Sequence, residues 1–144
     1  VFGKADRVVY LAAYLYHYRR AGSSSVTSGY NPRLYDQWQT LYDRMESIIR
    51  SNQLGSEYEA ALNNRIALGI LGLGLNITVS TQSMGKKVKD IHRIIRQERY
   101  RKAYKNLPLN YFPIHWKLFY GCARHGFAFG VYVLLTVIQR IISR

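Results

Sequence analysis

The chain has 144 residues, 48% of them hydrophobic, which suits one domain with a substantial core and excludes disorder as its general state. Its single cysteine, Cys122, excludes an internal disulfide framework and fits a reducing, cytosolic setting; a zinc site would have to draw on His and carboxylate ligands instead. Twenty-one basic residues against eight acidic ones give a net charge of +13, enough to draw the protein to anionic lipid or nucleic acid without saying which.

Val1 to Gly3 show no charged n-region, apolar h-region or cleavage site, so no signal peptide is expected and a missing upstream segment is. From Arg7 to Arg19 the residues are β-branched and aromatic, with Val8 and Tyr10, then Tyr14, Tyr16 and Tyr18, recurring at period two. This predicts two short strands, with Ala12-Ala13 marking a bend, that need a larger sheet to join. Residues 21–29 form a small, polar Gly/Ser-rich loop.

Asn31 is placed as an N-cap with Pro32 in the first helical position, and Leu34, Trp38, Leu41, Tyr42, Met45, Ile48 and Ile49 then follow helical spacing. This first helix should end near Leu54-Gly55, and Ser56-Glu57-Tyr58-Glu59 reads as a capping box for a second. The second helix becomes apolar all round over Ile66 to Val79. That stretch is about fourteen residues, short of the roughly twenty that span a bilayer, so burial in a helical bundle is expected. Gly69, Gly72 and Gly74 would each weaken an exposed helix by about 1 kcal/mol and therefore predict close approach of neighbouring helices.

A third helix from about Gly85 to Arg96 puts Val88, Ile91, Ile94 and Ile95 on one stripe and cations on the rest. Between Met84 and Asn106 nine basic residues face two acidic ones, so half of the net charge lies in this stretch. A short helix from about Gln97 to Lys105 follows, and Leu107-Pro108 and Phe112-Pro113 break the chain. The last helix is expected from Ile114 to the basic C-terminal end as one unit, with Trp116, Phe119 and Tyr120 early and an apolar run over 126–138. Arg124 and Arg140 leave about 22 Å of helix between them against roughly 30 Å of hydrocarbon, which favours a helix lying in the interface or packed in the bundle over a span. The fold class expected is thus mainly α: a bundle of about four to five helices over residues 30–144, preceded by a short strand pair within residues 1–29.

The segments Arg7-Val8-Val9-Tyr10, Leu15-Tyr16-His17-Tyr18-Arg19, Ser25-Val26-Thr27 and Asn31-Pro32-Arg33-Leu34 occur in an order that resembles the C-terminal part of bacterial family 2 nucleotide-diphospho-sugar glycosyltransferases. Arg99-Tyr-Arg-Lys-Ala-Tyr104 and the aromatic C-terminal region are similar to the variable helical extension of the same enzymes. The resemblance implies that residues 1–29 end the α/β nucleotide-sugar-binding core, that the strand pair is left over from that truncated core, and that the Gly/Ser loop closes over donor and acceptor. Strand alternation puts His17 and Arg19 on one face; Arg19 and Arg20 could clamp pyrophosphate oxygens, and Ser25 and Thr27 add hydroxyl donors. The intact enzyme would transfer a sugar from a nucleotide-sugar donor to a saccharide or lipid-linked acceptor in surface-polysaccharide synthesis, with Mg2+ or Mn2+ at an Asp-X-Asp motif and an acidic base in a Glu-Asp pair. This sequence has neither motif, and Ala21 stands near the position where relatives carry a metal-binding His. No catalytic residue, metal ligand or cofactor is therefore assigned within the chain.

The plainer readings stand beside these. Tyr16 to Arg19 also fits an ordinary edge strand, most of the thirteen tyrosines fit half-buried core rings, and Cys122 fits a small packing residue. His92, His115 and His125 are not spaced as a ligand pair. The cations Lys86, Lys87, Lys89, Arg93 and Arg96, together with Trp116, are assigned to an anionic membrane surface, which would hold the enzyme on the inner face of the plasma membrane. A solvated face on a packed helix uses the same residues, and so does a non-enzymatic basic module that binds membrane or a partner protein. No nucleic-acid-binding module is recognisable.

Overall fold

A computed structural model describes residue 9 and residues 29–142. These contain six α-helices and a short 3-10 turn: α1 Leu34–Ser51, α2 Ser56–Thr78, α3 Met84–Ile95, α4 Glu98–Asn106, the turn Leu109–Tyr111, α5 Ile114–Arg124 and α6 Ala128–Ile142. There is no strand among the described residues, and the strand pair expected between Arg7 and Arg19 lies outside them.

Helix α2 is the axis of the bundle: α1, α3, α4 and α6 all pack on it, while α5 joins α4 to α6. Its burial explains why an apolar helix with three interior glycines is stable. A Cβ on Gly69 would meet the Tyr42 hydroxyl and Trp38 of α1, one on Gly72 would meet the Trp38 ring, and one on Gly74 would run into Leu135 of α6. The glycines thus mark two helix crossings, as their pattern predicts. Among the described residues α2 is also the one helix long and apolar enough, by length and composition, to cross a membrane. Ile66, Ile70 and Leu73 are nonetheless enclosed by its neighbours.

The expected stripe of the third helix is realised in α3, where Ile91, Ile94 and Ile95 are buried and Val88 packs against the core. Two of the three residues that precede proline, Leu107 with ψ 119° and Phe112 with ψ 144°, are extended, as the proline ring favours.

Several helix ends differ from expectation. Helix α1 starts at Leu34 rather than Pro32: the Asn31 side chain accepts a hydrogen bond from the Arg33 amide (2.9 Å), forming a turn before the helix rather than a cap on it. At the other end α1 stops at Ser51, and Gln53 takes the left-handed conformation (φ 50°), so its amide bonds back to Arg50 and that of Leu54 to Ile49. Gly55 instead precedes α2. The capping box does not form: Ser56 is already helical, no side chain caps the helix, and the Glu57 carboxylate folds over Gly55.

The main correction is at the C-terminal end, where the single helix expected from Ile114 is two. Gly126 has φ 76°, its amide bonds to Ala123, and the Phe127 amide bonds to Cys122 at 2.8 Å. This pair of bonds closes α5 and reverses the chain into α6.

Candidate functional site

The described residues hold two regions of functional interest, and the first is where the N-terminal segment meets the bundle. The Asn31 amide donates to Asn76 Oδ1 at 2.7 Å, and Asn76 Nδ2 donates back to the Asn31 carbonyl at 2.9 Å. A polar residue inside the apolar face of α2 thereby satisfies both backbone groups of the residue that opens the Asn-Pro-Arg-Leu segment. Beside this clamp lies a cleft of about 390 Å³ whose polar lining includes Tyr35, Asp36, Asp90, Arg93 and Gln97. The Tyr35 hydroxyl donates to Gln97, so the floor of the cleft ties α1 to the α3–α4 corner.

The second region is the basic surface built by α3. Lys86 and Arg93 flank Asp90 at 3.6 and 3.4 Å, so part of their charge is offset locally. Lys87 points the other way: its ammonium donates to the Thr78 carbonyl at 2.8 Å, closing the C-terminal end of α2. Lys89 is exposed, and Arg96 lies over Gly126 at the α5–α6 turn. Trp116 is half-buried and packs edge-on to Phe119 (5.9 Å between centroids) and stacked on Tyr120 (6.1 Å), which makes it a core-flanking ring. The expected membrane set is therefore not one surface: Lys87 serves the fold and Trp116 an aromatic cluster, while Lys86, Lys89, Arg93 and Arg96 share the outer side of α3.

The Arg99 to Tyr104 segment is also structural. Arg99 donates to Gln39 (2.9 Å) and to Asp43, with Glu46 at 3.4 Å, joining α4 to α1. Burial works against its charge, but the Asp43 hydrogen bond and the Glu46 carboxylate outweigh it and leave the pKa above the usual arginine value. Tyr100 and Tyr104 are buried beneath it, and the Tyr100 hydroxyl accepts from Gln39 at 3.2 Å.

The donor-contacting residues expected from the resemblance, His17, Arg19, Arg20, Ser25 and Thr27, lie outside the described residues. His92 lies on α3, His115 near the start of α5 and His125 just past its end, all three exposed. No group of three His, Cys, Asp or Glu side chains among the described residues is placed to hold a metal ion. Cys122 is half-buried, with its Sγ 3.1 Å from where a Cβ on Gly130 would sit, so it fills the seam between α5 and α6. Two features escaped the sequence reading although each left a signal. One is Asn76, a polar residue in an otherwise apolar run; the other is the exposed row Phe129, Val133, Val137 and Ile141, at a spacing of four residues along α6. Compared with known proteins, the chain matches no family model, no curated protein and no solved structure.

Proposed function

We propose that this chain is the C-terminal part of a family 2 glycosyltransferase that moves a sugar from a nucleotide-sugar donor to a saccharide or lipid-linked acceptor in surface-polysaccharide synthesis. In this reading residues 1–29 close the nucleotide-sugar-binding core, and the helices form an extension that docks the enzyme and frames the acceptor side. The observation that carries it is the Asn31–Asn76 clamp. The motif-like part of the resemblance runs from Arg7 to Leu34, and the clamp gives the last of those segments a physical role. It fixes the chain arriving from the core onto the bundle, beside a cleft wide enough for part of a sugar.

The chemistry divides accordingly. In this reading the Mg2+ or Mn2+ of the intact enzyme and its acidic base belong to the nucleotide-sugar-binding core and not to the helices. Arg19 and Arg20 are the residues for holding the donor diphosphate, with His17, Ser25 and Thr27 beside them. In the intact enzyme, Arg19→Ala and Arg20→Ala should each raise the donor KM by roughly tenfold to a hundredfold, as expected for loss of a hydrogen bond to a charged group. A donor KM unchanged in both variants would remove these residues from the donor site. The alternative, a non-enzymatic basic module, is favoured by a separate observation: residues Met84 to Ile142 carry twelve basic and two acidic side chains. It predicts that no nucleotide sugar binds the intact protein.

A further inference from the structure

Helices α5 and α6, joined at the Gly126 turn, pack against each other as a helical hairpin and supply Phe119, Ala123, Val131 and Leu135 to the core. Its outer side is also apolar. Along α6 the row Phe129, Val133, Val137 and Ile141 is exposed, with Ile141 at 69%. Along α5 Ile114 (80%) and Leu118 form the matching row one turn apart, on the side of that helix where Cys122 meets Gly130. Cys122, one turn beyond Leu118, meets Gly130, the neighbour of Phe129, so the two rows border one another across the α5–α6 seam, and six exposed apolar side chains are grouped as a band on one hairpin rather than scattered singly.

Charge says what covers it. No acidic residue follows Glu98, whereas eight basic residues do. Lys117 and Arg124 are exposed seven residues apart on α5, next to the Ile114–Leu118 row. On the other flank α3 packs against α6, and its exposed His92 and Arg96 lie beside the same hairpin, Arg96 reaching Gly126 at the turn. A second copy on this band would set cation against cation with no carboxylate to answer. A nucleic acid would use the cations but leave the band exposed. An anionic bilayer answers both, since acyl chains take the band and headgroups take the flanking cations.

We propose that the α5–α6 hairpin lies in the plane of an anionic lipid surface, with Ile114, Leu118, Phe129, Val133, Val137 and Ile141 entering the acyl boundary. The exposed part of α6 is about 18 Å long, fit to lie in the interface rather than to span it. Contact of the α5–α6 hairpin with lipid is independent of the glycosyltransferase assignment. Flotation reads lipid contact and turnover reads chemistry, so each can fail without the other.

The test is flotation of the 144-residue chain with vesicles of phosphatidylcholine mixed with phosphatidylglycerol, and with phosphatidylcholine alone. Wild type should float with the mixed vesicles and stay behind with the neutral ones. Phe129→Gln with Val137→Asn, and separately Ile114→Gln with Leu118→Gln, should each weaken flotation by about tenfold or more with helical circular dichroism unchanged. Ile48→Gln, exposed on α1, should have no effect. As a reading of insertion that tolerates small stability changes, Phe129→Trp should be quenched by lipids brominated on the acyl chain. No flotation at low salt, full flotation of both band variants, an unquenched Trp, or a vesicle-free dimer that the band variants dissociate would overturn the proposal.

Discussion

The hydroxyl of Tyr104 is buried with no hydrogen-bond partner. A buried, unanswered hydroxyl costs stability, so this ring is held for its area and not for its oxygen. Tyr104→Phe, which keeps the ring and removes the orphan, should leave thermal stability unchanged or raise it by about 1 kcal/mol; a loss of more than that in thermal denaturation would mean the hydroxyl has a partner. The Asn31–Asn76 clamp is the opposite case, since there two buried-edge polar groups answer each other. Sequence could suggest that Asn31 punctuates the chain, because Asn before Pro favours a turn. It could not show that the answering group lies forty-five positions away. Tertiary pairing of this kind leaves only a weak trace, an isolated polar residue in an apolar run.

At the level of the helices, the same glycines that look unfavourable locally set the packing distances globally. Gly69→Ala and Gly74→Ala should each destabilise the fold by about 1–3 kcal/mol, because the new methyl would meet the Tyr42–Trp38 pair or Leu135 in a filled core. Gly85→Ala and Gly121→Ala, where a Cβ would meet nothing, should stabilise by about 0.5–1 kcal/mol through helix propensity alone. Chemical denaturation of the four variants checks both signs. Helix interiors were legible for this reason: apolar spacing, small residues and pre-proline geometry act within a few positions. The ends were less so. Gly55 carries a stop signal, yet it is Gln53 that takes the left-handed turn. The α5–α6 break was signalled by His125-Gly126 but masked by the apolar run that continues past it. Reading through that break hid the outer band, because its rows on α5 and α6 align only after the chain reverses.

For the molecule as a whole, charge and tyrosine burial dominate. Residues Arg33 to Thr78 carry four basic and five acidic side chains, while Met84 to Ile142 carry twelve and two. The positive charge of the bundle is therefore concentrated in α3 to α6 while α1 and α2 together are nearly neutral. Burial holds Tyr120 at about 12 and pushes Tyr42, Tyr100 and Tyr104 upward from the ordinary 10.0. The fold keeps these phenols protonated where the unfolded chain would not. Their contribution is complete below pH 10 and is lost as pH rises through their folded values. Absorbance at 295 nm followed together with helical circular dichroism should show a late tyrosinate fraction appearing with loss of helix; full ionisation with helicity intact would contradict it. The proposed donor site rests on a motif order alone, because its residues lie outside the described ones and, in the proposed reading, its partners belong to the nucleotide-sugar-binding core. The most direct measurement is release of nucleoside diphosphate from nucleotide sugars with Mn2+, comparing the 144-residue chain with the polypeptide translated from the whole reading frame. Turnover by the longer polypeptide and none by the chain alone is the predicted result; turnover by the chain alone, or none by the longer polypeptide, would contradict it.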